Sequence, residues 1–182
     1  MRISAERSLG LLLADLSARS PAPGGGAASA WAGALAAAVT EMAARFADAT
    51  ESATRAAELR AQLLAAGERE LHSYAPVLEA QRLPSDDPSR RERIQTALTE
   101  ASEAPLAIAR ASAEVSELAA ALARAGNPAL AGDAIAGAVL GEAATRSAAR
   151  LVEINLGDRR PHELPELIGR AAAAREQALH TD

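Results

Sequence analysis

Two acids stand in surroundings that make a carboxylate conspicuous. Asp133 follows Gly132 in a run of alanines and leucines near the start of an expected helix, and Glu70 lies on another helix four residues before Tyr74. An acid in such company either complements a helix dipole or sits in a cleft where it can move protons. Glu41 interrupts an otherwise apolar helix, and Asn155 lies between Ile154 and Leu156. Each of these also has an ordinary use on a surface or in a buried polar network. The third candidate is backbone. Pro21-Ala-Pro-Gly-Gly-Gly26 runs straight into the small-residue stretch Ala27 to Val39. The prolines forbid helix up to about Pro23, and the glycines let bare backbone turn and approach a neighbour. Free N–H groups at a helix N-terminus, with the positive end of the dipole, form an anion site. A tight turn packing a helix start on its neighbour uses the same residues.

Other chemistries lack their parts. His72, His162 and His180 are scattered, and neither HExxH nor Glu-x-x-His occurs, so no metal site is expected. Glu68 and His72, at i and i+4, read as a solvated pair. There is no Gly-x-Ser-x-Gly elbow for a nucleophile. A P-loop needs a lysine, and the chain has none.

The elements that must position these residues follow from periodicity. Ser4 can cap a first helix carrying Leu9, Leu12, Leu13 and Leu16, ending near Arg19. A second runs from about Ala27 to Ala47, with Gly26, Ala30, Gly33, Ala34 and Ala37 as a smooth stripe for close helix approach. Asp48 to Thr54 reads as a break or a continuation. The third helix places Leu59, Leu63, Leu64, Leu71, Val77 and Leu78 on one face, with Pro76 inside the pattern as a kink. Leu83 to Ser89 is a loop. Asp87 and Pro88 then open a fourth helix that reaches about Ala125 and carries Pro105 inside it. Gly126-Asn127-Pro128 closes it and caps a fifth, to about Leu156. The fifth bears a second stripe: Ala134, Gly137, Ala138, Gly141, Thr145 and Ala148. The stripes pack on one another or across a dimer axis. Gly157 to His162 turns into a terminal helix from Glu163 to Leu179. No repeat or heptad run occurs.

Composition agrees. At 182 residues the chain reads as one domain over 1–182, rich in alanine, leucine and arginine, with Trp31, Phe46 and Tyr74 its only aromatics. An all-α bundle of long, partly proline-kinked helices is expected. The chain has no cysteine, which excludes disulfides and thiolate chemistry and makes the cytoplasm the default compartment. All 19 basic residues are arginines, and the net charge of −5 argues against a nucleic-acid surface. No leader is expected in the opening residues, where Glu6 and Arg7 break up any apolar core. Pro21 to Thr40 is uncharged over 20 residues, but its alanines suit a buried helix better than a membrane span.

Several blocks taken together go further. Pro21-Ala-Pro-Gly-Gly-Gly26, Arg82-Leu83-Pro84, Ala104-Pro105-Leu106, Gly126-Asn127-Pro128, Asp133 and Ile154-Asn155-Leu156 resemble, in order and spacing, the formiminotransferase-cyclodeaminase C-terminal domain family. That family includes methenyltetrahydrofolate cyclohydrolases, and the resemblance covers about Ala5 to Arg175. It implies an all-helical homodimer acting on a one-carbon tetrahydrofolate, without metal or redox cofactor. It implies Gly24, Gly25 and Gly26 as walls of the folate site, with Asn127, Asn155 and Tyr74 also touching substrate. Asp133 and Glu70 are the implied catalytic acids, Glu70 standing where an aspartate is usual. The implied reaction is hydrolysis of 5,10-methenyltetrahydrofolate to 10-formyltetrahydrofolate, or cyclodeamination of 5-formiminotetrahydrofolate. A chain without a formiminotransferase partner favours the first. The alternative is a divergent, non-catalytic module that binds folate or a small anion. Three positions differ from the family pattern. Asp48 to Ser52 replaces a lysine-rich patch, Leu151 an asparagine, and Glu153 a basic residue.

Overall fold

The computed structural model describes residues 7–20 and 22–181. Among these it is helical, with no strand. The helices are α1 (Leu9–Ser17), α2 (Gly25–Phe46), α3 (Thr50–Ser73), α4 (Ala75–Gln81), α5 (Arg90–Ala101), α6 (Glu103–Ala125), α7 (Ala131–Leu156) and α8 (Leu164–Leu179). Single 3-10 turns, Pro128–Leu130 and Gly157–Arg159, flank α7.

Small residues decide the architecture. Helices α2, α6 and α7 pack on one another, with α3 and α8 closing the sides. A Cβ at Gly33 would stand 2.5 Å from Ser112 Oγ of α6 and 3.0 Å from Leu63 of α3. One at Gly137 would stand 2.5 Å from Thr40 Oγ1 of α2. One at Gly141 would meet α6 backbone, with Ser112 O and Ser116 N both at 3.0 Å. Both glycine-alanine stripes are therefore spent inside one chain, not across a dimer axis. Larger side chains fill the remaining space: Leu59, Leu63, Ile108, Val115, Val152 and Leu164 are fully buried. Helix α2 is long and apolar enough to cross a membrane by length and composition, yet most of its most apolar stretch is covered by other helices.

Hydroxyls at these crossings satisfy themselves on backbone. Thr40 and Thr145 donate to carbonyls one turn back, and Ser116 Oγ donates to Ala138 O at 2.8 Å, tying α6 to α7. Around the core, arginine forks grip carboxylates across helix pairs. Arg55 holds Glu114 (2.5 and 2.8 Å), linking α3 to α6, and Arg170 holds Glu117 (both 2.7 Å), linking α8 to α6. Paired N–H donors in a plane suit this use, which lysine cannot copy.

Several boundaries differ from the sequence expectation. Ser4 lies outside the described residues; α1 is capped by Ser8, whose Oγ accepts from Leu11 N at 3.4 Å. Leu9 and Leu13 of α1 stay exposed, so their helical spacing marks a face that this chain does not cover. Helix α2 begins at Gly25, two residues early, which places two of the three glycines inside the helix. The expected third and fourth helices are each divided. Tyr74 separates α3 from α4 just before Pro76, and Ser102 separates α5 from α6 just before Pro105. A proline offers no N–H to the carbonyl four residues back, so the hydrogen-bond ladder is weakest there. Asp87 does not cap α5. Its Oδ1 accepts from Ser89 N (2.8 Å) and Ser89 Oγ (2.7 Å) in the preceding turn, and α5 starts at Arg90.

The close crossings give a paired test. Gly141→Ala drives a methyl into α6 backbone and should cost about 1–3 kcal/mol. The thermal midpoint followed by circular dichroism should fall by roughly 2–4 °C per kcal/mol. Gly169→Ala, in α8 with nothing within 4 Å, should raise it, since alanine is worth about 0.5–1 kcal/mol over glycine in a helix interior.

Candidate functional site

At the start of α2 the backbone carries an unspent positive end. Gly24 is the N-cap and has no side-chain hydrogen bond to offer, so the first-turn N–H groups receive no side-chain cap. Gly24 is extended (φ −132°, ψ −159°), and none of the three glycines has a positive φ. Freedom of rotation is thus not what these positions need. Gly26 needs room, because a Cβ there would overlap the Glu70 carboxyl. Glu70 reaches this point because α3 runs antiparallel to α2: Gly67 lies against Ala30 and Trp31, Leu63 against Gly33, and Arg60 Nε bonds Glu41 Oε2 at 3.1 Å.

Burial raises the pKa of Glu70 above the ordinary carboxylate value, and a hydrogen bond from Ser73 partly opposes this. Ser73 Oγ lies 3.1 Å from both Glu70 Oε2 and the Glu70 carbonyl, so one hydrogen serves two acceptors. An acid whose pKa burial raises, beside a helix start without a side-chain cap, can both take and give a proton. Beside it lies a donor that sequence reasoning missed. Among the described residues, Trp31 Nε1 is buried without a hydrogen-bond partner, five residues after Gly26 and against Gly67. The only signal for it was a lone tryptophan in a helix of small residues.

The remaining candidates divide between two ends of the bundle. Tyr74, 46% exposed, is at the α3–α4 junction, one turn beyond Glu70. Ser29 Oγ of α2 donates to Gly25 O (2.7 Å) and is 2.8 Å from Ser147 Oγ of α7. Asn155 is two turns further along α7, at the same end. Asn127 and Asp133 are elsewhere. Asn127 Nδ2 donates to Phe46 O, at the C-terminus of α2 (3.3 Å), and its Oδ1 caps Ala129 N (3.0 Å). Asp133, in the first turn of α7, is at that far end too. Since α2 has 22 residues, the two groups stand about 30 Å apart along it. One chain therefore brings together Gly24, Gly25, Gly26, Glu70 and Tyr74, with Asn155 nearby, and leaves Asn127 and Asp133 out. Glu41, weighed as another acid, is committed to ion pairs with Arg45 and Arg60. Among the described residues, no three His, Asp or Glu gather as a metal set.

Comparison with known proteins bears on the family and the fold. The model of the formiminotransferase-cyclodeaminase family matches residues 8–173. The fold is similar to that of a crystal structure of formiminotetrahydrofolate cyclodeaminase from Thermotoga maritima, with a TM-score of 0.86. The two share 24% identity, over 96% of this chain and 95% of that one. No curated protein matches the chain.

Glu70 makes a stability prediction whose sign can be worked out. With its folded pKa raised, the native state holds the proton more tightly than the unfolded chain. Stability from this group is full at low pH and lost as pH rises through the folded pKa. Glu70→Gln removes that loss. Its thermal midpoint should exceed the wild type's at pH 7–8, with the gap closing as pH falls into the ordinary carboxylate range.

Proposed function

Because the chain belongs to the formiminotransferase-cyclodeaminase family, we propose that it interconverts one-carbon tetrahydrofolates, with Glu70 as the group that moves the proton. The observation that carries this reading is the Glu70 carboxyl lodged against Gly26 at the uncapped start of α2, with its pKa raised by burial.

Two reactions suit the same acid. In hydrolysis, water attacks the amidinium carbon of 5,10-methenyltetrahydrofolate while the Glu70 carboxylate takes one of its protons. The tetrahedral carbon then collapses: its hydroxyl proton leaves to solvent, the bond to N5 breaks, and N5 takes the proton held by Glu70. The product is 10-formyltetrahydrofolate. In cyclodeamination, N10 attacks the carbon of the protonated formimino group and gives its proton to Glu70, which passes it to the departing NH2 group as ammonia leaves and the methenyl cation forms. The similar Thermotoga maritima protein is a formiminotetrahydrofolate cyclodeaminase, which supports retaining the second reaction beside the first. The first-turn N–H groups of Gly25 and Gly26 would face the polar edge of the pterin.

The two-ended distribution of candidates supports a homodimer in which each site uses both chains. Leu35, Met42 and Phe46 form an exposed apolar stripe along α2, and Leu140 and Ile154 lie on an exposed stripe of α7. A two-fold pairing with antiparallel α2 helices would set the Gly24–Gly26 end of one chain beside the Asn127 and Asp133 end of the other. One structural fact favours the non-catalytic alternative. If turnover needs both acids, a lone chain, which holds Glu70 and Asp133 at opposite ends, would bind folate without turning it over.

Methenyltetrahydrofolate absorbs in the near ultraviolet, so its loss, or its appearance from 5-formiminotetrahydrofolate, reports either reaction. Turnover above the spontaneous rate is expected from one of the two, and no such turnover at any neutral pH would remove the enzymatic reading. Glu70→Gln should cost about 10²- to 10⁴-fold in kcat. Gly25→Ala, with nothing within 4 Å to disturb, should keep the fold and raise KM. Separately inactive Glu70→Gln and Asp133→Asn chains should regain turnover when unfolded and refolded together, through one intact site per mixed dimer. Absence of rescue would place the whole site within one chain.

A further inference from the structure

The two oxygens of the Glu70 carboxyl have different surroundings. Oε1 is the atom that a Cβ at Gly26 would meet first, so it is the oxygen turned to the start of α2. Oε2 is turned to Ser73, whose Oγ donates to it at 3.1 Å. Ser73 is the half-buried last residue of α3, one turn after Glu70, and its Oγ is also 3.1 Å from the Glu70 carbonyl. Its one hydrogen must choose between these acceptors or be shared. An ionised carboxylate is the stronger acceptor and draws the hydrogen to Oε2. When the carboxyl is protonated, the oxygen that still accepts from Ser73 is the carbonyl oxygen, and the acid proton belongs on Oε1. The last turn of α3 is the negative end of that helix, which disfavours a carboxylate, so Ser73 supplies the donor that its own helix lacks there.

The ionisable neighbours leave this arrangement alone. Helix α2 has no charge from Pro21 to Thr40. Helix α3 brings Glu68, Arg69 and His72, and Tyr74 follows at its junction with α4. Helices α5 and α6, which also pack on α3, bring the exposed Glu100 and Glu103. The Glu70 pKa answers instead to burial, which raises it, and to Ser73, which lowers it.

We propose that Ser73 is the positioning residue for this acid: its hydroxyl holds Oε2, so that Oε1 is the oxygen that takes and gives the proton. A proton from water or N10 moves to Oε1, and then from Oε1 to the departing nitrogen. The Ser73 hydrogen shifts between its two acceptors and stays bonded to Oγ throughout. The role rests on Glu70 being the group that moves the proton, as proposed above, and adds which of its oxygens acts.

The test compares Ser73→Ala, which lacks the hydroxyl, with Ser73→Thr, which keeps it. Turnover is followed by near-ultraviolet absorbance across pH, and the Glu70 carboxyl carbon is titrated by NMR in protein without substrate, its signal assigned by its loss in Glu70→Gln. Ser73→Ala should lose about tenfold in kcat, part of what a positioned acid contributes, with KM changed by less than about twofold. The limb of its pH profile set by Glu70 and the midpoint of the carbon titration should both move to higher pH, because a donor to the charged form is gone. Ser73→Thr should restore both. A natively folded Ser73→Ala with wild-type kcat, a loss of kcat with an unmoved midpoint, or no recovery in Ser73→Thr overturns the role of Ser73 while leaving Glu70 as the acid. A wild type without turnover, or a fully active Glu70→Gln, removes the reading of Glu70 and this role with it.

Discussion

Everything in this bundle depends on how closely α2, α6 and α7 approach one another. Helices normally stand 8–10 Å apart, according to the side chains at the contact. Here Gly33, Gly137 and Gly141 leave only backbone at the crossings, and Ser112, Ser116 and Thr40 fill the gaps that remain. Close packing of this kind gains dispersion contacts, not large hydrophobic side chains, which is how a chain with three aromatic residues builds a dense core. It also sets the direction of each helix, because a stripe of small residues fits its neighbour in one register.

Register in turn sets the chemistry. The antiparallel α2–α3 pair carries Glu70 up to the start of α2, where Gly26 leaves space for its carboxyl. The antiparallel α2–α7 pair does the opposite for Asp133, carrying it to the far end. Two acids that look equivalent along the chain thus have unequal surroundings. Glu70 is partly desolvated beside a helix start, whereas Asp133 sits in the first turn of its own helix, where a carboxylate meets the positive end of the dipole.

The sequence made the all-helical class and most helix ends legible, since these are local matters. Asn127 reads as the cap of the fifth helix, and it caps instead the 3-10 turn Pro128–Leu130, while α7 starts at Ala131 without a side-chain cap. The glycine run reads as a place for turning and for close approach; no glycine in it has a positive φ, and the close approach is met at Gly26 by a residue 44 positions away. Leucine spacing in α1 marks a face without saying what covers it. The division of the candidate site was not legible. It requires the relative direction of α2 and α7, which are far apart in sequence, and no local pattern encodes that. Trp31 and Ser147 were missed for the same reason: each gains its meaning from a neighbour on another helix.

The two helix interruptions have a consequence for how the molecule breathes. Between Tyr74 and Ser102 the chain leaves the main bundle as α4 and α5, which bury Val77, Ala97 and Ala101 in a small cluster of their own. So few buried side chains hold this pair that it can open without disturbing the main core, as a separate cooperative unit with faster amide exchange. Tyr74 is one of its two pivots and lies one turn from Glu70. The rim of the candidate site is therefore hung on a thinly packed part of the structure, while its floor, at Gly26, belongs to a tightly packed one.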